Sequence, residues 1–573
     1  MAAAIAAVCN AVPAAAADCG QRFDEALAAP ADPATAELSC SRDPASPRHC
    51  IALDGAADTI GAAAGTYALW LRLATDARST TLRIGLDDGP AAPWYAPPTS
   101  GGWQLVTEAD GRRARAFELN DGRRLRVAPR DDPRAAVDCA LFVRDSEFVP
   151  GMRAIHRIGN AWAGVGVLFD GVADERQLYV GYYAADRSLA VAAFDRAARR
   201  WTRRSLPSTF AGWDNHNAIA LALDPGGVLH VAGNMHATPL VYARADAPGR
   251  LDGLERLRPM TGADEDRATY PTFLRHGGTL AFLYRDGVSG AGRILLNRYA
   301  AGTWQRLTPQ PLFADGDGEG GASAYPAPPR RGPDGTWHFA WAWRRTADAS
   351  TTVEVGYARS ADLVRWSDAA GAPLALPIRP GDGAVDRVPP GGGLSNAVTV
   401  GLDHAGAPVV SFLKYDADGH TQLHNARPRG DGWQVVATTA WRDRWTLAGH
   451  GTIPALIRAG PVRAAADGTL RQPVRHWRAG MFELVLDPVT LRALREAPHP
   501  RPLPAALLRP VLPHAGYGTI AIAAHAPDGT TAPFVLRWEA QHGGRDRRPD
   551  CTAERPVACD PPPAPLTLYE ALP

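Results

Sequence analysis

The chain has 573 residues, with 61 basic and 60 acidic side chains and a formal net charge of +1. That balance excludes a nucleic-acid binder or a polybasic membrane protein that works through a global positive field. With 57 glycines and 50 prolines the sequence is rich in turns, yet it stays below low-complexity composition. All of the positive charge is arginine except a single lysine, Lys414.

In chain order, residues 1–17 are small and apolar and end in Ala14-Ala15-Ala16-Ala17 before Asp18. This is the pattern of a secretory signal peptide, although no Lys or Arg precedes the apolar stretch. A secreted or bacterial periplasmic location is therefore expected. Six cysteines remain after its removal: Cys19, Cys40, Cys50, Cys139, Cys551 and Cys559. An even number in an exported chain predicts up to three disulfides. None lies between Cys139 and Cys551, so the long middle region must be held by its own core. No later stretch approaches the about 18 uninterrupted apolar residues of a transmembrane helix.

Residues 18–148 carry strand patterns such as Thr66-Tyr67-Ala68-Leu69-Trp70-Leu71-Arg72-Leu73 and predict a small β-sandwich-like domain, either sugar-binding or purely structural. Residues 546–573 read as a Pro-rich tail that Cys551 and Cys559 could clip. Between them, over 149–545, one unit recurs: an apolar strand, a turn with Asp or Gly, and a second strand ending in aromatic or charged residues. The turns fall near Asp174, Gly226, Gly278, Gly335, Gly406, Gly468 and Gly529. After several hairpins a tryptophan (Trp201, Trp304, Trp366, Trp433) closes an outer turn. Helical periodicity is scarce. The expected fold is all-β, a seven-bladed β-propeller preceded by the small sandwich; a stack of sandwiches is the alternative.

Hairpin register then places chemistry. Residues equidistant from a turn centre face each other, with Cβ atoms ~4.5–5.5 Å apart. His216 and His236 are equidistant from Gly226; Tyr270 and Arg285 from the Gly277–Gly278 centre; Tyr325 and Arg344 from the Asp334–Gly335 centre; Asn396 and Lys414 from Ala405. Tyr517 and Trp538 flank the seventh turn similarly. His230, mid-strand among apolar neighbours, reads as a satisfied core residue.

At these segments the sequence resembles the BNR-type seven-bladed propellers of the polysaccharide lyases, the ulvan lyases and related rhamnosyl-glucuronate lyases. The matching stretches are His216-Asn217 through Gly233-Asn234-Met235-His236, Thr269-Tyr270-Pro271-Thr272-Phe273 through Arg285-Asp286-Gly287, and Trp337-His338-Phe339-Ala340-Trp341-Ala342-Trp343-Arg344. Tyr357-Ala358-Arg359-Ser360 with Trp366 resembles a degenerate Asp-box. The resemblance implies His216, His236, Tyr270 and Arg285 as catalytic residues. Arg344, Tyr325, Lys414 and Asn217 are the expected substrate-binding residues. No cofactor is implied as required; calcium is the candidate ion, and Asp315-Gly316-Asp317-Gly318-Glu319 either ligates it or forms a solvated acidic loop.

This residue set suits β-elimination at a uronate. The proton leaves C5, α to a carboxylate, and the C4 oxygen is expelled, so the carboxylate must first be neutralised. Arginine supplies a fixed charge with a bidentate fork, and histidine and tyrosine supply proton transfer. Hydrolysis uses two carboxylates instead, and none stands among the four best-matched positions, although Asp214 and Asp286 lie close by. The expected function is a secreted, monomeric lyase on an anionic polysaccharide, cutting a rhamnose-uronate linkage, with no nucleic-acid partner and no membrane span. A hydrolase of the rhamnosidase or sialidase type and a non-catalytic glycan-binding propeller are the alternatives.

Overall fold

The computed structural model describes residues 152–314, 321–499, 517–541, 546–548 and 561–571 continuously, with most of the strands between 48 and 149 and two isolated positions, 503 and 507. The expected signal peptide, Asp315–Glu319 and four of the six cysteines lie outside the described residues, as do the side chains of Cys50 and Cys139. Among the described residues regular structure is strand apart from short 3₁₀ turns, at Ala349–Thr351 and at the isolated position Leu507. No helix there is long and apolar enough to cross a membrane.

Two sheets form from residues 48–143. One is built around Gly65–Ala74 and Ala136–Val143, the other around Thr80–Leu86 and Arg123–Pro129. Alternation decides how they pack: Tyr67, Leu69, Leu71 and Phe142 of the first sheet share one buried cluster with Leu82, Ile84 and Trp94 of the second. Apolar side chains at every second position on both inner faces are what a β-sandwich requires.

From residue 152 onward the strands pair into five sheets among the described residues, in the manner of a β-propeller; dividing the two largest at their parallel contacts leaves seven antiparallel units. Each of the seven expected turns joins two strands that pair antiparallel. The turn chemistry is shared. In six of the seven an aspartate accepts backbone N–H groups across the turn: Asp174, Asp224, Asp334, Asp403, Asp467 and Asp528. This is the Asx device that makes Asp-x-Gly a turn signal. Innermost strands of neighbouring units touch in parallel, Val172 beside His525 and Leu402 beside Arg463.

The strand Trp337–Arg344 shows how units pack on each other. Trp337, Phe339, Trp341 and Trp343 face the third unit, against Leu274, Leu283, Ile294 and Leu296. Ala340 and Ala342 face the fifth, against Val400, Val410 and Phe412. Large residues on one face and small ones on the other let a twisted strand fill unequal gaps. Each buried tryptophan removes about 200 Å² from water, on the order of 5 kcal/mol before entropy is counted. The degenerate Asp-box behaves as one: Asp362 accepts from the Val364 and Arg365 N–H groups, and Trp366 packs on Phe339.

The last unit corrects the expected tail. Ala564–Ala571 pairs with Thr531–Gln541 on one side and Met152–Ala161 on the other. Residues from both ends of the described propeller region therefore share the seventh unit. The Pro-rich residues before 564 hid a strand that has no hairpin partner next to it in sequence.

His525 and Asp170 join the seventh, first and second units. Asp170 accepts from the Leu221 N–H at 2.7 Å and lies 3.5 Å from His525 Nε2. Burial disfavours a charged His525, but the hydrogen bond and charge of Asp170 prevail and raise it above its ordinary value. That stabilisation is full below the unfolded value and is lost as pH rises through the folded one. The melting-temperature advantage of wild type over His525→Gln is therefore expected to be larger at about pH 5.5 than at about pH 8.5. Equal differences at both pH values would contradict the pairing.

Candidate active site

The first loop of the site runs between the first and second units. Asp214 begins it, accepting the His216 N–H at 2.9 Å and Nδ1 at 2.6 Å on one oxygen. Its other oxygen meets His236 Nδ1. The two imidazoles lie 4.3 Å apart between centroids. Register brought the right residues together, though not as a ladder pair. The second hairpin ends at Ala220↔Ala232, and His236 continues into a short strand paired with Thr269 of the third unit. One carboxylate, not strand pairing, closes the His216–His236 contact. Burial raises the energy of a charged Asp214, yet hydrogen bonds from both histidines outweigh it and hold the carboxyl far below its usual range.

With both Nδ1 atoms turned toward Asp214, both Nε2 atoms are left to meet a ligand. A carboxylate that fixes an imidazole in this way selects its tautomer and orientation.

Tyr270 sits at a β-bulge. The ladder runs Thr272↔Leu283 and then shifts to Thr269↔Arg285, so Arg285 faces Thr269 and Tyr270 is left over. This is a one-residue correction to the expected Tyr270–Arg285 pair. The bulge puts Tyr270 at φ 59°, a left-handed conformation unusual for a bulky residue. It re-aims the ring over the guanidinium, with Arg285 Cζ 4.9 Å from its centroid, and to within 5.9 Å of the His216 ring. Burial pushes the Tyr270 hydroxyl up, and the charges of Arg285 and Arg344 oppose that shift.

Arg285 is 1% exposed. Its Nη2 donates to Thr269 Oγ1 at 3.2 Å, while Nε and Nη1 have no hydrogen-bond partner. The third unit makes room for it with a glycine: a Cβ at Gly292 would stand 2.9 Å from the Arg285 stem.

Arg344, 7% exposed, donates to Ser289 Oγ at 2.5 Å and to the Tyr325 hydroxyl, and its Nε is unpartnered. The ladder sets it opposite Ser323 rather than Tyr325, but its guanidinium reaches back over the Tyr325 ring at 3.9 Å. Among the described residues neither Arg285 nor Arg344 has a carboxylate within ion-pair distance. Burying a guanidinium unpaired costs several kcal/mol unless a ligand supplies the anion.

Other expected residues fall elsewhere. Lys414 is neutralised by Asp386 at 2.7 Å, and Asn396 is exposed. Lys414→Met is expected to leave KM for an anionic glycan within about twofold, because a paired, half-buried lysine offers little to a second anion. A KM rise of about tenfold or more would restore Lys414 to the site. Asn217 is buried and braces the loop: its Nδ2 donates to the Asp214 carbonyl, and its own carbonyl accepts from Tyr183. Trp538 is fully buried and stacked on Phe169 at 4.3 Å. Its partner across the seventh ladder is Ile520, not Tyr517. His230 is buried and bonded to the Tyr242 hydroxyl at 2.8 Å, the core role expected of it.

Two residues without any local sequence signal also approach His216. Thr452 Oγ1 lies 3.4 Å from its Nδ1, and an Asp546 oxygen lies 3.9 Å away. As a metal centre, Asp214, His216 and His236 offer three ligand atoms within 4.8 Å of one another. Two imidazole nitrogens and one carboxylate are a poor fit for calcium, which takes about six to eight oxygens.

The described hairpin units carry Asp-locked turns and bring buried arginines and a histidine pair together. Residues 177–441 match the family model described as a BNR repeat-containing family member. Among solved structures, polysaccharide lyase Uly1 is 16% identical, covering 75% of this chain and 95% of its own, with a TM-score of 0.46. A PL25 ulvan lyase bound to -[GlcA(1-4)Rha3S]- is 12% identical over 68% of this chain and 93% of its own, with a TM-score of 0.47. An endo-arabinase from Bacteroides thetaiotaomicron is 13% identical over 51% of this chain and 100% of its own, with a TM-score of 0.25. No curated protein sequence is significantly similar to the chain.

Proposed function

We propose that the protein is an exported polysaccharide lyase that cleaves a rhamnose-uronate linkage by β-elimination at a glucuronate or iduronate. The observation that carries this reading is the pair of buried guanidiniums without an anionic partner, beside two histidines tied to one carboxylate. An active site that holds unmatched positive charge in a buried place is complementary to a carboxylate that gains charge as C5 loses its proton.

Arg285 neutralises the uronate carboxylate, with Arg344 beside it. A histidine Nε2, its ring held by Asp214, takes the C5 proton. Burial keeps the Tyr270 hydroxyl protonated through neutral pH, and it donates to the departing C4 oxygen. The bond from C4 to oxygen breaks as the double bond between C4 and C5 forms, and the proton count balances between His and Tyr.

The two carboxylates near His216 are the feature a hydrolase would use. Both are occupied, Asp214 by two imidazoles and Asp546 by Thr452. Neither is placed as a free nucleophile or acid. Incubation with a panel of uronate polymers separates the readings. A lyase yields the ultraviolet absorbance of an unsaturated uronate end, a hydrolase yields saturated sugars only, and a binding module yields retention on the polymer without products.

A further inference from the structure

The loop after the fifth unit and the segment after the seventh unit's second strand both reach His216, although they lie 236 and roughly 330 residues away along the chain. Their contacts form a clamp. Asp546 takes the Thr452 N–H on one oxygen at 2.9 Å and the Thr452 hydroxyl on the other at 2.6 Å. Thr452 Oγ1 in turn lies 2.8 Å from the Asn215 side chain, the residue between Asp214 and His216. The far side of the loop is pinned to the fourth unit, where the Gly449 N–H donates to Asp348 and the Gly449 carbonyl accepts from Ala349. Asp546 is held at φ 63°, a conformation that aspartate adopts in turns.

Proton counting sharpens the arrangement. Thr452 has one hydroxyl proton and faces two oxygens, Asp546 Oδ1 and Asn215 Oδ1. The ionised carboxylate is the stronger acceptor. The amide of Asn215 therefore turns its NH₂ to Thr452, since its two ends are interchangeable in shape. Thr452 thus bridges Asp546 to Asn215, which precedes His216 in the chain, and the bridge survives either orientation of the Asn215 amide.

We infer that Asp546 is a positioning residue: through Thr452 and Asn215 it fixes the His216 ring against Asp214. This rests on the reading of His216 as part of the reacting centre. Misplacement of a reacting group by an ångström costs up to ~10²-fold in rate. Asp546→Ala and Thr452→Val are therefore expected to lower kcat by about tenfold or more, with KM within about twofold. Asp546→Asn and Thr452→Ser are expected to stay within about threefold of wild type. In Asp546→Asn the carbonyl still accepts the Thr452 N–H, while the amide donates to Oγ1.

Full-length variants with unchanged melting temperature are compared in two ways: by turnover on a uronate polymer, and by the rate of diethylpyrocarbonate labelling at His216 against His236, mapped by peptide mass. The labelling arm needs no turnover. Faster labelling of His216 in Asp546→Ala and Thr452→Val, reversed in Asp546→Asn and Thr452→Ser, supports the clamp even if no polymer is cleaved, in which case the lyase reading alone fails. Wild-type labelling and wild-type kcat in Asp546→Ala overturn it. So does an Asp546→Asn as impaired as Asp546→Ala.

Discussion

Arg285→Met is expected to lower kcat/KM on a uronate polymer by about 10³-fold and, in the same variant, to raise the melting temperature. The two effects share one cause. Arg285 is fully buried, bonds only Thr269, and leaves Nε and Nη1 unpartnered. The buried guanidinium therefore bears a desolvation cost that a bound carboxylate would relieve. Methionine fills similar volume without charge, and replacing buried ionic groups with apolar ones of like size is often stabilising by about 1–4 kcal/mol. The proposed elimination, in contrast, would lose the charge that makes a C5 proton removable. A control at Arg250, exposed and paired only with its neighbour Asp252, is expected to change neither quantity. A variant that loses activity and stability together would show that Arg285 is structural. One that keeps activity would remove it from the site.

Asp214→Asn is expected to lower kcat by about 10²–10⁴-fold with little change in KM, by analogy with carboxylates that orient a catalytic imidazole elsewhere. The asparagine has one acceptor and one donor where two Nδ1–H groups point, so one histidine must flip its tautomer and lose its Nε2 lone pair. The same carboxylate contributes to stability. Its pKa is depressed in the folded state, so that contribution is present above the ordinary carboxylate range and is lost as pH falls through the folded value. Wild type is therefore expected to lose its stability advantage over Asp214→Asn as the pH is lowered below about 4. An asparagine variant with wild-type kcat would separate the histidine pair from the chemistry.

The hairpin turns were legible because each is a local device: an aspartate and a glycine within a few residues, repeated every 52 to 71 positions. Strand register carried the reading from turns to site, and it held wherever the ladder was regular. Thr399↔Ser411 lies on the line drawn for Asn396 and Lys414. It slipped at Tyr270, where one residue bulges, at Tyr325 and Arg344, where the strand pairing shifts, and at Tyr517 and Trp538, where the ladder shifts between Ala523 and His525. Bulges add a residue without announcing it in the pattern of apolar side chains. Lys414 had the right position and the wrong neighbour, because Asp386 arrives from a strand that hairpin arithmetic does not include.

The residues that sequence could not supply share one property, which is distance along the chain. Asp214 stood two positions from His216 and was visible as a nearby carboxylate; its bridge to His236 was not. Thr452, Asp546 and Ser289 come from loops with no periodicity to mark them. The strand Ala564–Ala571 follows a run of prolines and pairs with Met152–Ala161, more than 400 residues away. Local chemistry writes turns and alternation into the sequence, whereas closure of a ring is a long-range event with little local trace.

The most direct test of the central claim follows ultraviolet absorbance while purified wild type and Arg285→Met act on a panel of uronate polymers under identical conditions. Absorbance from an unsaturated uronate end is expected to rise with the wild type on at least one rhamnose-linked uronate polymer and to fail to rise with Arg285→Met. Release of saturated sugars by the wild type without that absorbance, or an equal rise from both proteins, would contradict it.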